Sequence, residues 1–139
     1  ILHALFVIMI GFFEFSIVAN ANIISDYKVG FRANAASLKN IAAAIGGGDH
    51  QTVTNQTKTI SSWSRKIPGY FAEGSGLGDT KVRLDIWDNF DDFTVLSKDN
   101  GTAANTLLIG AKSGYPDAMM AGLKNLGGSC KTCHRSHKY

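Results

Sequence analysis

An all-α protein, an antiparallel four-helix bundle, is the fold predicted for this chain, and three observations predict it. No stretch of the 139 residues alternates apolar and polar side chains as a half-buried strand would. Four stretches instead repeat apolar residues at three- and four-residue steps, the mark of a helix with one buried face. Breaks at 46–48 and 112–115 are short and favour antiparallel neighbours, while the 68–84 connection is long enough to suggest a crossover. With 45% hydrophobic residues, the chain has apolar material for one globular domain and little more.

Residues 1–21 differ in kind from the rest. An apolar run at 4–13 precedes Ala19-Asn20-Ala21, a small-residue cleavage pattern. The segment therefore reads as a secretory signal peptide with its start truncated, since it has neither an initiating Met nor a basic leader. Glu14 and the shortness of the run argue against a membrane span, with an uncleaved anchor as the minor reading. The mature domain is then 22–139, exported and free of the membrane. The net charge of +3 becomes one unit more positive when Glu14 is lost, too small a balance to suggest nucleic acid.

Over 23–45, Ile24, Tyr27, Phe31, Asn34, Leu38, Ile41 and Ile45 form one helical face. Ser25 and Asp26 are candidate caps, and Gly46-Gly47-Gly48 stops the helix. Asp49 caps a second helix to about Lys66, whose buried side (Val53, Ile60, Trp63, Ile67) is thin among many Thr and Ser. Pro68 and Gly69 end it. A third helix is expected from Asp85, with Ile86, Trp87, Phe90, Phe93 and Leu96 as an aromatic face and a bend at Asn100-Gly101. Asp85, Asp88, Asp91 and Asp92 read as a solvated face, because no calcium-loop spacing accompanies them. The glycine-rich connection has no preceding strand and no G-K-[ST] ending, so it offers no phosphate cradle.

The last helix opens at Pro116. Met119, Leu123, Leu126, Cys130, Cys133 and His137 then follow at steps of four, three, four, three and four. The two cysteines of the chain thus continue the core-facing stripe, within Cys130-Lys131-Thr132-Cys133-His134. C-x-x-C-H is the attachment pattern of c-type haem. On a helix, positions i, i+3 and i+4 share a face, so both thiols can meet the haem vinyl groups and His134 can come up under the iron. Any group attached there lies in the bundle core, and Gly127-Gly128 one turn earlier leave it room. Three other readings compete: a dithiol redox pair, which lacks its βαβ setting; half a zinc site, which lacks a second Cys/His cluster; and a structural disulfide. The export signal favours haem.

At this point the sequence resembles the cytochrome c′ family, the four-helix-bundle class of c-type cytochromes, over essentially all of 24–139. Four stretches carry the likeness: Gly30-Phe31-Arg32-Ala33-Asn34, Lys66-Ile67-Pro68-Gly69-Tyr70-Phe71-Ala72-Glu73-Gly74-Ser75-Gly76, Asp85-Ile86-Trp87, and Gly127-Gly128-Ser129 leading into the C-x-x-C-H. The resemblance implies one covalent haem c on Cys130 and Cys133, with His134 as the proximal iron ligand. It implies Phe31 over the distal face, Trp87 near the haem edge, and homodimers through the first two helices. Tyr27, beside Lys28, stands where the family usually has a basic residue. His137-Lys138 replaces an aromatic-Arg pair; Lys138 keeps the positive charge on the proximal side without a planar guanidinium. Leu84 and Ala72 replace prolines.

The sixth iron position decides the function. Low-spin relatives place a Met in the first helix, whereas the mature chain has only Met119 and Met120, both on the haem-bearing helix. His50 lies in the first loop, His137 one turn past His134, and Lys28 is the one awkward candidate. The expectation is a five-coordinate, high-spin iron with Phe31 crowding an apolar distal pocket. NO or CO can enter by displacing Phe31, while anionic ligands are disfavoured by desolvation. Two function classes follow: a periplasmic electron carrier served by a redox partner protein, for which the mild positive charge suits an acidic one, and a gas-binding module that takes up NO and protects respiration. An enzyme is not expected, and a small peroxidase ranks third, because the first helix offers no evident general acid.

Overall fold

The computed structural model describes the backbone of residues 2–139 and the side chains of residues 22–139. Four helices follow one another: α1 (Leu2–Gly47), α2 (His50–Lys66), α3 (Phe90–Ser113) and α4 (Pro116–His137). Single 3-10 turns stand at Ile67–Tyr70 and Leu84–Trp87. The expected signal segment, 1–21, lies outside the residues with described side chains. Among the described residues, no helix is long and apolar enough to cross a membrane.

Each helix packs on two others, α1 on α2 and α4, and α3 on α2 and α4. The neighbours run antiparallel. Ser61 bonds Asn105 while Ser64 bonds Asn100, and Gly122 lies on Leu107 while Gly110 lies on Ala118. The expected crossover does not occur, since α2 and α3 are direct neighbours. Their long connection folds over one end of the bundle instead, and its Ile67, Phe71 and Ile86 are buried there. The burial of those side chains gives the connection a reason for its length.

Local chemistry fixes most helix ends. Asp49 caps α2, its Oδ1 accepting from the Thr52 N–H at 3.0 Å and its Oδ2 from the Thr52 hydroxyl at 2.6 Å. These bonds hold the Asp49 carboxyl below its ordinary pKa. Gly114, at φ +75°, ends α3 in the left-handed conformation that glycine adopts freely. Ser25 and Asp26 lie inside α1 rather than at its cap. The third helix starts at Phe90 after the N-cap Asn89, so Asp91 and Asp92, not Asp85 and Asp88, occupy its first turn. It also runs through Asn100-Gly101 without interruption.

The core has two parts of different composition. One is aliphatic and tightly closed: Ile41, Val53, Ile60, Ala104, Leu107, Met119 and Leu126 are all fully buried or nearly so. The other, at the end covered by the long connection, is built on Ile24, Tyr27, Ile67, Phe71, Ile86 and Phe93. Against it pack half-buried residues, among them Phe31, Trp63, Trp87, Phe90 and Cys133. The thin polar side of α2 is explained by pairing: buried Ser64 bonds Ile60 O at 2.9 Å and Asn100 Oδ1 at 2.6 Å.

α1 and α2 approach closely at Gly30, where any Cβ would overlap the Trp63 ring. Gly30→Ala should therefore part the two helices or turn the indole, at a cost of about 1–3 kcal/mol. The expected result is a lower urea midpoint with an unchanged slope; a midpoint equal to wild type would contradict this packing.

Candidate haem site

α4 carries the attachment residues because its stripe does not stop at Leu126. Cys130 and Cys133 are half-buried and free of any disulfide, and Cys133 packs on the aromatic core. Cys130 Sγ accepts a hydrogen bond from Asn100 Nδ2 at 3.3 Å. His137, two steps further along the stripe, is buried edge-to-face on Phe93, with ring centroids 5.3 Å apart. Its Nε2 lies 3.3 Å from Asp92 Oδ2, yet makes no aligned hydrogen bond.

Phe31 and Trp87 reach the same core from other elements. Phe31 on α1 stands edge-on to Trp63 at 5.6 Å and to Tyr27 at 6.3 Å. Trp87 is fixed by its indole N–H, which donates to Phe71 O at 3.0 Å. Tyr27 stacks on Phe71 at 4.8 Å, and its hydroxyl bonds Thr80, so it ties α1 to the connection. Cys133, Phe31 and Trp87, drawn from three parts of the chain, all pack against one aromatic cluster. Sequence reasoning missed Tyr27 and Tyr70 as parts of that aromatic wall, although Tyr27 already stood on the α1 stripe.

His134 lies on the outer side, with Gly128, Lys131, Thr132, Arg135, Lys138 and Tyr139, around a cleft of about 660 Å³. Its ring is exposed at the rim, yet neighbouring atoms desolvate it in part and the Lys138 charge opposes protonation. Both effects hold its pKa below the ordinary histidine value, so the neutral imidazole, the form able to ligate a metal, dominates at neutral pH. The end of α4 is pinned. Arg83 N–H donates to His137 O at 3.0 Å, Tyr139 N–H to Lys81 O at 2.9 Å, and Val82 pairs with Lys138.

These residues fit a covalent haem. Two free thiols share a helical face, next to a wall of aromatic side chains. A Cβ on Gly127 or Gly128 would meet nothing within 4 Å, so the helix face one turn before Cys130 is open. Among the described residues, no three His, Cys, Asp or Glu side chains converge as a metal-ion site, so the zinc reading gains no ligand set.

Burial and the charges of Cys130 and Asp92 push the Cys133 thiol up to about 11. Burial also raises Cys130, against the opposing hydrogen bonds of Asn100 and Ser129. A raised thiol pKa means that the fold favours the protonated form. Its contribution is complete below the unfolded-chain thiol pKa of about 8.5 and is lost as pH rises toward the folded value. The apoprotein should accordingly weaken across that alkaline window. At pH 8 its Cys133 should react with iodoacetamide on the order of 100-fold more slowly than free cysteine. A rate equal to free cysteine would contradict the burial.

Helices, thiols and histidine together define a c-type haem protein of the four-helix-bundle class. The family model described as Cytochrome C' matches residues 22–138. A cytochrome c' of Rhodospirillum rubrum is 40% identical over 91 residues, covering 62% of this chain and 62% of the relative. A cytochrome c-556 of Agrobacterium fabrum is 33% identical, covering 69% of this chain and 67% of the relative. The solved cytochrome c prime from Shewanella frigidimarina superposes with a TM-score of 0.77 at 25% identity, over 86% of this chain and 95% of that one. The chain belongs to the cytochrome c′ family, whose cofactor is covalently bound haem c. The match to the Rhodospirillum rubrum relative spans less than two thirds of that protein's length.

Proposed function

We propose that this chain is a periplasmic electron-transfer haem protein whose iron is high-spin and five-coordinate. The observation that supports the reading is that Met119, Met120, His50 and Lys28, candidate second ligands among the described residues, are each buried, exposed or paired elsewhere. Met119 is fully buried in the aliphatic core and Met120 is exposed. His50 packs against Gly114 at the opposite end of the bundle. Lys28 is engaged by Asp79 at 2.7 Å, an ion pair that holds the Asp79 carboxyl below its ordinary pKa.

In this reading Cys130 and Cys133 hold the haem and His134 is the proximal ligand. Phe31 covers the other face and excludes water from it. Trp87, immobilised by its bond to Phe71 O, flanks the edge. Lys138 keeps a positive charge beside the proximal cleft and helps keep His134 neutral. When bound, the haem supplies an iron that exchanges one electron and accepts a diatomic ligand. Partners would be a redox protein, an acidic one suiting the mild positive charge, and a second copy docked through α1 and α2.

A second reading, NO or CO binding for gas scavenging, is favoured by Phe31 itself. The ring is half-buried and held by two edge contacts, so an uncharged diatomic can move it at modest cost. Spectra of the reduced holoprotein with CO and NO, set beside a one-electron redox titration, separate the two. A reversible one-electron couple supports electron carriage. NO binding without a reversible couple would move the function to gas binding, and peroxide turnover would be needed to make it an enzyme.

A further inference from the structure

The α3 stripe runs Phe93, Ser97, Asn100, Ala104, Leu107 and Ala111, all buried, and Asn100 stands at its centre only 6% exposed. A buried carboxamide is destabilising unless its groups are paired, and here they are. Its Oδ1 accepts from the Ser64 hydroxyl at 2.6 Å. Its Nδ2 donates to Ser129 Oγ at 2.8 Å and to Cys130 Sγ at 3.3 Å. The partners are anchored in turn, Ser97 Oγ donating to Ser64 O at 2.6 Å and Ser129 Oγ to Leu126 O at 2.7 Å. One side chain thus ties α2 and α3 to the attachment helix at its first cysteine.

The direction of the bond to sulfur carries the argument. In haem attachment a thiol adds across a vinyl C=C: a C–S bond forms at one carbon, and the thiol proton ends on the other. No oxidant or reductant is consumed. The product thioether has no S–H and can only accept a hydrogen bond. An amide N–H aimed at Sγ serves thiol and thioether alike, whereas a carbonyl there would oppose sulfur lone pairs. We infer that Asn100 is a positioning residue for the haem, fixing the Cys130 sulfur and with it one of the two attachment points. This inference rests on the haem attachment proposed above.

The test is Asn100→Leu in the holoprotein. Ser64 and Ser129 keep the Ile60 and Leu126 carbonyls as acceptors, so the substitution strands neither hydroxyl. Paramagnetic NMR should show the haem methyl signals nearest the Cys130 attachment displaced, with those on the Cys133 side unmoved. CO association with the reduced protein should change about two- to fivefold, the weight of one modest hydrogen bond. In the native chain, both Asn100 side-chain amide protons should be protected from exchange. A variant that is only less stable, with wild-type methyl shifts and CO rates, would overturn the inference and leave Asn100 a purely structural residue. Should Asn100→Leu fail to fold, Ser64→Ala removes the anchor on Oδ1; it should move the same methyl signals by less, and an unmoved pattern overturns the inference equally. Mass analysis showing no thioether-bound haem in the native chain would instead sink the underlying attachment reading.

Discussion

Replacing both Cys130 and Cys133 by serine is expected to abolish covalent haem retention. Acidified organic solvent should strip all haem from the variant and none from the native chain. The physical reason is that the remaining contacts are reversible: an imidazole at His134 and an aromatic wall can bind a porphyrin, yet only a carbon–sulfur bond survives denaturation. Either single substitution should keep haem through the other thioether, with a haemochrome band displaced from that of the native chain. Retention in the double variant would mean that attachment lies elsewhere.

Phe31→Ala should raise CO affinity of the reduced protein. A diatomic ligand entering the native site has to move the Phe31 ring away from Trp63 and Tyr27, the two aromatic partners it meets edge-on. Such pairs are worth about 0.5–1.5 kcal/mol each beyond area burial. Relieving both amounts to about 1–3 kcal/mol, roughly a 5- to 150-fold gain in affinity. The same change opens a void beside Trp63 and should lower stability, by less than the ~3–5 kcal/mol of a fully buried phenylalanine, because Phe31 is half-buried. An unchanged CO affinity would show that Phe31 does not guard the open face.

Much of the fold was legible because it rests on local rules. Alternating three- and four-residue steps located the buried faces of α1 and α4, and Asp49, Gly114 and Pro116 mark ends that sequence chemistry fixes. The start of α3 was not legible in the same way. Asp85 resembles a helix opening, yet Ile86 is buried within the connection as part of a 3-10 turn, a tertiary preference that outweighs local propensity. The long connection misled for a related reason: its length reflects covering the aromatic end rather than a change of neighbour.

Asn100 shows the limit of single-residue signals. Beside Gly101 it reads as a helix break, and only its register on the α3 stripe, three residues after Ser97 and four before Ala104, marks it as a core position. Polar residues repeated on an apolar stripe were the available signal. The C-x-x-C-H pattern is legible as a pattern, since its residues are neighbours on one helix. The opposite wall depends on residues distant in sequence, Phe31, Trp63, Phe71 and Trp87, and their convergence required the folded chain.

In the proposed reading His134 is the iron's one protein ligand and Phe31 guards the position opposite. Electron paramagnetic resonance of the ferric holoprotein at neutral pH tests it most directly. The expected spectrum is an axial high-spin signal, matched by an optical spectrum without the sharp low-spin bands of a six-coordinate haem. A rhombic low-spin signal in the free protein would contradict this coordination, because it requires a second protein ligand, whereas Met119 is buried in the aliphatic core, His50 packs at Gly114 and Lys28 pairs with Asp79.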